Sequence, residues 1–391
     1  MQTLIELYDE RPLENVLGVE VFRPQQVIYV CPARVAKDKQ LHRQLRDYFL
    51  HRGQPVALEF VKADVYHAEA ILKTLRKIVA RCPDCAVDIT GGTDAVLYAA
   101  GLLGAETGTP AFTYSRRKNR FYEIQNAPYA DGLPCRVVYS VEDCFRMAGG
   151  AIRPGRIDNK LLEDYFPDID PFFRLYLNHR RGWVSSISYI QRLSQAEPEE
   201  PPPLKAQGAY VVKGERGSRI EAPEELLQAL DKLGFLRELS MDREAGVSFR
   251  FRDLRIRQWL RDVGSVLELY VYKACVEARL FDDVRLSAVV DWEDSGGRDA
   301  VTNELDVMCT RGVTPVFISC KTGEAKTEAL NELAILRDRF GGKIARAAVV
   351  TAERASAAMR NRAGELNIQV IDLDDLAKGR LSKRIQKLMK S

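Results

Sequence analysis

The chain has 391 residues, 46% hydrophobic and 29% charged, which is enough apolar side chain for two or three folded domains and excludes a disordered polyelectrolyte. With 58 Lys and Arg against 55 Asp and Glu the net charge is only +3, so a nucleic-acid partner would be met by local basic patches and not by an overall polycation. No apolar run approaches the ~18 residues of a membrane helix, and the opening MQTLIELYDERP lacks the layout of a signal peptide, so the expectation is a cytoplasmic protein without a membrane partner.

From Gln26 onward the pattern alternates. VIYVC (Val27–Cys31) is a short β-rich run, and Lys37–Arg52 has helical spacing; PVALEFV (Pro55–Val61) and Val65–Arg81 repeat the pair. Ala86–Thr90 gives a third strand, followed by a Gly-Gly turn and a helix from Asp94. Strand, helix, strand at this spacing predicts a Rossmann-like parallel sheet, whose ligands sit beyond the carboxyl ends of the strands. The loops at those ends are Thr90-Gly91-Gly92-Thr93, Pro32-Ala33-Arg34, and the basic, aromatic run YSRRKNRFY that contains Ser115 and Arg116. Glycines let a backbone approach phosphate and the next helix offers free N–H groups, although a Gly-Gly turn also serves tight packing and a basic run also serves as a solvated hairpin tip. The eight cysteines, several inside apolar runs, read as small buried hydrophobes. Cys82 and Cys85 have knuckle spacing, but no second pair completes a zinc site.

QAEPEEPPP (Gln195–Pro203) is an exposed linker by composition. Beyond it, Pro223–Leu239 predicts a helix, VSFRFRD a strand with Arg250 and Arg252 on one face and Phe249 and Phe251 on the other, and LRIRQWLRDVGSVLELYVYKACVEA a long helix. Helix followed by a charged hairpin gives a helical, winged-helix-like connector, with its basic face either a nucleic-acid-facing wing or merely solvated. The whole is therefore α/β, with expected domains at 1–150, 151–262 and 263–391. The basic tail from Lys378 to Lys390 suits a nucleic-acid partner without specifying one.

The strongest chemistry lies between Glu268 and Lys321. NELDVMCTRG and VFISCKTG read as two strands around a short RGVT turn, so residues whose numbers sum to 625 face each other. Asp306 then lies opposite Ser319, and Glu304 opposite Lys321. With period-two alternation all four project from one face. Carboxylates on a hard divalent cation, Mg2+ or Mn2+, and a lysine beside the charge developing on phosphate suit phosphodiester hydrolysis. Glu268, one helix upstream, could supply a further acid. The alternative is a cross-strand Glu304–Lys321 ion pair of about 1 kcal/mol or less.

Helix Glu, ELD, hairpin and a lysine at the strand end resemble the PD-(D/E)xK restriction-endonuclease-like pattern. NELDVMCTRG with VFISCKTG looks like the nuclease domain of the accessory effectors of type III CRISPR systems. ELYDERPLENVLG and DITGGTDAV are similar to the CRISPR-associated Rossmann fold (CARF) sensor of the same proteins. The resemblance spans nearly the whole chain. It implies a C-terminal restriction-endonuclease-like α/β domain with metal on Asp306, assisted by Glu304 or Glu268, and a catalytic Lys321. It further implies a homodimer whose sensors bind a cyclic oligoadenylate, such as cyclic tetra-adenylate, and so switch on cleavage of DNA or RNA, with a single strand as the expected substrate, in antiviral defence. Where the pattern asks for an acid two residues before the lysine, this sequence has Ser319, a weaker metal ligand; Asp291 is a spare acid. The connector from Pro223 to Val263 is expected to relay sensor closure to the nuclease. The rival reading is a non-enzymatic regulator whose sensor controls DNA binding by the winged segment. A nicotinamide-dependent oxidoreductase is disfavoured, because GxGxxG is missing.

Overall fold

The computed structural model describes residues 1–154, 161–195, 201–214, 217–292 and 302–390. Strands β1 (Thr3–Leu7), β2 (Gln26–Cys31), β3 (Ala57–Lys62), β4 (Cys85–Asp88), β5 (Ala111–Ser115) and β6 (Arg120–Gln125) form one sheet in the order β3-β2-β1-β4-β5-β6, parallel except for the final hairpin. β1, TLIEL, is buried along its whole length because helices cover both faces of the sheet. The expected helices are Lys39–His51, where Asp38 accepts the Gln40 and Leu41 N–H groups, then Ala68–Arg81 and Asp94–Thr107. The chain winds outward through β1, β2 and β3 and returns to β4 beside β1. The loops after β1 and β4 therefore diverge around a crevice, the usual ligand position of such sheets.

The N-terminal domain ends in the helix Val141–Met147, closed by a Ser140–Asp143 capping box, and then a short strand β7 (Ala151–Pro154). The connector follows, with helices Phe166–His179, Trp183–Leu193 and Glu224–Lys232. Its strands are β8 (Lys205–Gly208), β9 (Val211–Lys213), β10 (Arg219–Glu221), β11 (Leu236–Asp242) and β12 (Gly246–Phe251), with β11-β12-β8 as a three-stranded antiparallel sheet. Of the proline-rich linker, residues 196–200 lie outside the described residues. Two expectations are corrected here. The helix from Pro223 stops at Lys232, since Gly234 takes a left-handed φ of 72° and Leu236 onward pairs with β12. The long helix after Arg252 is two, Leu254–Trp259 and Ser265–Glu277, because Asp262 Oδ2 takes the Ser265 N–H and hydroxyl at 2.7 Å each. Phe249 and Phe251 are buried as the alternation requires. Arg252 is not a wing cation, however. Its guanidinium forks onto Asp168 at 2.6 and 3.0 Å and ties the wing to the first connector helix.

The C-terminal sheet contains β13 (Asp283–Asp291), β14 (Thr302–Arg311), β15 (Thr314–Lys321), β16 (Arg346–Thr351) and β17 (Gln369–Ile371), in the order β17-β16-β15-β14-β13-β7. Strand β7, expected in the connector, is thus an edge strand of this sheet, antiparallel to β13. On one face lie Ser265–Glu277 and Leu381–Leu388. The latter helix, inside the basic tail, buries Leu381, Ile385 and Leu388 and pairs Arg384 with Asp375. On the other face, one continuous core joins Leu4, Tyr29 and Phe121 of the sensor, through Phe145, to Met308, Phe317 and Val349 of the sheet. The Phe145 ring lies 4.7 Å from that of Phe340 and 6.5 Å from that of Phe317. The two sheets therefore share a core directly. The connector, expected to act as the relay, packs on the opposite face of the C-terminal sheet.

Candidate active site

β14 and β15 pair as Val307–Ile318 through Arg311–Thr314, the register in which numbers sum to 625. The ladder ends at Val307–Ile318. On the other side of β14, pairing with β13 skips one position, Ser287 opposite Asp306, and Ser287 holds a left-handed φ of 50°. Asp306 thus drops out of backbone pairing on both flanks. Its carboxylate takes over, with Oδ2 accepting the Cys320 N–H at 2.5 Å and the Ser319 hydroxyl at 3.1 Å, while Lys321 Nζ stands 3.7 Å away. A serine kept in that conformation costs about 1–3 kcal/mol, the kind of strain found where a side chain must be aimed.

Asp306 is buried and Lys321 is 41% exposed along its side chain, so the pair opens to solvent through the lysine. Burial raises the Asp306 carboxyl above the usual carboxylate range; the Lys321 ammonium, the Cys320 N–H and the Ser319 hydroxyl oppose this, and Glu304 adds to it. Glu304 does not form the alternative ion pair with Lys321: its Oε1 accepts the Ser287 hydroxyl at 2.7 Å, and the lysine turns to Asp306. Glu268 is buried on the helix packed beneath β13–β15, in room left by Gly264, where a Cβ would lie 2.7 Å from Glu268 Oε1. Burial first, and Asp306 and Glu268 next, push the Cys320 thiol well up, which places both acids around one residue. Asp291, the spare acid, is instead buried against Arg153 of β7 at 2.7 Å. Sequence reasoning missed Ser287, because nothing in RLSAVV marks a position leaving the ladder.

The loops after β2, β4 and β5 converge on Asp9, Glu10 and Glu14 after β1. Gly92 N–H donates to Asp9 Oδ2 at 3.1 Å, and Thr90 N–H donates to Asp88 Oδ1 at 2.7 Å. Thr93 hydroxyl donates to the Val65 carbonyl at 3.1 Å, and Tyr114 N–H to the Thr90 hydroxyl at 2.9 Å. These groups were expected to face a ligand; the protein's own carboxylates and carbonyls take them. Gly91 is close-packed, since a Cβ would lie 3.1 Å from the Leu7 carbonyl oxygen, and Gly92 has a φ of 100°. Arg34, after Pro32 and Ala33, pairs with Glu10, and Arg116, after Ser115, pairs with the buried Glu14. A cavity of about 450 Å³ at this end is lined by Tyr8, Glu10 and Arg34 and, from the C-terminal half, by Trp292 and Arg339. Among the described residues no three His, Cys, Asp or Glu side chains form a ready metal cluster, and all eight cysteines are free.

Residues 256–390, a C-terminal stretch that holds Asp306, Ser319 and Lys321, match the sequence profile of the Card1-like endonuclease domain. Over its full length the chain has the fold of two solved proteins. One is VC1899 from Vibrio cholerae, 18% identical, with a TM-score of 0.72 over 99% of this chain and 98% of that one. The other is Can2 from Sulfobacillus thermosulfidooxidans, solved in complex with cyclic tetra-adenylate, 17% identical, with a TM-score of 0.71 over 100% and 99%. No curated protein matches the chain in sequence. No helix among the described residues is long and apolar enough to cross a membrane.

Proposed function

We propose that the protein is a divalent-metal-dependent endonuclease switched on by a cyclic oligoadenylate in type III CRISPR defence, and that it works as a homodimer. The observation that carries the reading is Asp306, withdrawn from backbone pairing on both sides and set 3.7 Å from Lys321 at a solvent-open strand end inside the stretch that matches the endonuclease profile. The likeness to a protein solved with cyclic tetra-adenylate supports the activator, and a ring with internal repeat symmetry suits two copies of the sensor loops across a two-fold axis.

Asp306, Glu304 and Glu268 supply the carboxylate oxygens that a hard cation takes. They fit Mg2+ or Mn2+ because Asp306 is buried beside another acid, an arrangement that added positive charge relieves. When bound, such a cation polarises the phosphate and makes water more acidic. The chain's own residues do the rest. Cys320 N–H and Ser319 hydroxyl fix the Asp306 carboxylate, and the Ser287 hydroxyl fixes Glu304. Lys321 donates to a non-bridging phosphate oxygen as charge builds there, with little reorganisation because β15 holds its backbone. Ser319 acts in this scheme by orienting Asp306. In the N-terminal domain the ring would be met by the Thr90–Thr93 turn and by Pro32, Ala33, Arg34, Ser115 and Arg116, the two guanidinium groups exchanging Glu10 and Glu14 for phosphate.

The test is incubation of the full chain with single- and double-stranded DNA and RNA, with and without cyclic tetra-adenylate and manganese. Cleavage that needs the metal, rises with the ring and disappears in Lys321→Ala is expected. Cleavage undiminished by chelation, or its absence under every condition, overturns the reading.

A further inference from the structure

A second cleft, away from the Asp306–Lys321 pair and sharing only Arg116 with the activator crevice, lies where the β5–β6 hairpin meets the turn end of the β14–β15 hairpin. Its volume is about 750 Å³, within the range of small-ligand pockets, and its lining includes Arg116 and Arg117 from the sensor hairpin tip, Arg279 from the loop before β13, Arg311 from the β14–β15 turn and Arg346 from the start of β16. The one acid of the lining is Asp282, and its carboxylate accepts the Gly312 N–H at 2.6 Å. Arg116 shares the charge of Glu14; Arg117, Arg279, Arg311 and Arg346 make no ion pair among the described residues. Arg117, Arg279 and Arg311 are exposed and Arg346 is half-buried, whereas the half-buried Arg52, Arg252 and Arg384 are matched by Glu20 and Asp143, by Asp168 and by Asp375.

Five guanidinium groups drawn from four segments into one concave surface repel one another, and low-dielectric walls strengthen the resulting positive potential. Arg279 also holds a left-handed φ of 50°, which a non-glycine residue adopts at a cost. We propose that this cleft binds a ligand presenting adjacent phosphate groups, either the phosphate chain of a nucleotide or a short run of nucleic-acid backbone. Guanidinium forks match phosphate oxygens in pairs, and their spread over several segments suits two or more phosphates. Arg311 is five residues along β14 from Asp306, about 17 Å at the usual rise per residue, so this is not the cleavage site. Because the lining comes from the sensor hairpin and the nuclease hairpin together, an occupant would clamp the two.

The site is tested on the full-length Lys321→Ala protein, so that no substrate is consumed. Isothermal titration with inorganic tripolyphosphate, ATP and a five-nucleotide DNA is compared between that protein and the same protein carrying Arg311→Ala and Arg346→Ala. At least one probe should bind about tenfold or more weakly to the doubly substituted form, with an unchanged unfolding midpoint and with Arg346→Lys losing less. Preference for ATP identifies the nucleotide source, and preference for the DNA identifies the backbone. Equal binding of all three probes to both forms, or no binding to either, overturns the proposal. So does displacement of the bound probe by saturating cyclic tetra-adenylate, which would make the cleft part of the activator's site. Failure of cleavage in the preceding test leaves these outcomes unaffected.

Discussion

Both sheets bury carboxylates on their inner strands, with opposite results. In the sensor, Glu6 of β1 and Asp88 of β4 are in register and fully buried, and both reach toward Gly18, where a Cβ would collide with Asp88 and lie 3.0 Å from Glu6 Oε1. No cation neighbours them among the described ion pairs. Burial pushes Asp88 up to about 7, and burial with the Asp88 charge raises Glu6 well above its usual range. In the nuclease, Asp306 is buried almost as deeply but has a lysine, a backbone N–H and a hydroxyl on its carboxylate and an opening to water. Asp88 also accepts a backbone N–H, from Thr90, so what sets Asp306 apart is the lysine and the opening to water.

The sharpest way to break this contrast is at the lysine. Lys321→Ala should lower cleavage by about 10²–10³-fold, the usual loss for one preorganised donor to a developing charge, while the circular dichroism spectrum and ring affinity stay unchanged. Normal turnover would remove the lysine from the chemistry. Asp306→Asn should also abolish metal-dependent cleavage and weaken manganese binding by calorimetry, yet leave the melting temperature equal or higher, since the amide oxygen can still accept the Cys320 N–H without a buried charge.

The sensor pair makes the complementary prediction, of the order of 2–4 kcal/mol. Asp88 keeps its proton in the folded state until about pH 7, whereas the unfolded chain releases it near the ordinary value of 3.8. The folded state therefore binds more protons between those limits, and its stability declines as pH rises from about 4 to about 7. Asp88→Asn, which keeps an acceptor for the Thr90 N–H, should flatten that decline and stabilise the protein at pH 8 in denaturant titrations. An unchanged pH profile would show that the pair is not proton-linked.

Smaller effects sharpen the picture. Arg252→Ala removes the forked bond to Asp168 and should cost about 1–3 kcal/mol in unfolding free energy with cleavage retained; a loss of nucleic-acid affinity in a folded protein would return Arg252 to the wing. Ser319→Ala deletes one of the two donors fixing Asp306 Oδ2 and should lower the cleavage rate only several-fold, by about 1 kcal/mol. A loss as large as that of Lys321→Ala would give the hydroxyl a role on the substrate.

Much of this was legible in the residues. The hairpin register followed from a two-residue turn and period-two alternation, which fix facing pairs without tertiary information. The Gly-Gly turn after β4 and the helices on either side of it carried local signals. What escaped depended on partners far along the chain. Arg153 with Asp291 and Arg252 with Asp168 are joined across 138 and 84 positions, and neither side chain announces its partner. β1 was passed over because five buried residues carry no alternation, and the end of the helix after Pro223 was overrun because its apolar spacing continues through Gly234 into a strand. The loop donors at Thr90 and Gly92 read as open to ligand, since a sequence does not reveal that Asp88 and Asp9 already accept from them.

Strand β7 determines how this protein can be divided. It leaves the sensor and immediately forms the outermost strand of the nuclease sheet, with Arg153 neutralising the buried Asp291. A fragment beginning at the connector would uncover the edge of β13 from Ala288 to Asp291, a template for pairing with other chains, and would remove Arg153 from the buried Asp291. Fragment boundaries for expressing the nuclease half should therefore fall before Ala151, and a cut drawn at the proline-rich linker should yield insoluble material. Restoring residues 151–154 on a short flexible tether should lessen the aggregation without abolishing it, since the core shared with Phe145 stays uncovered.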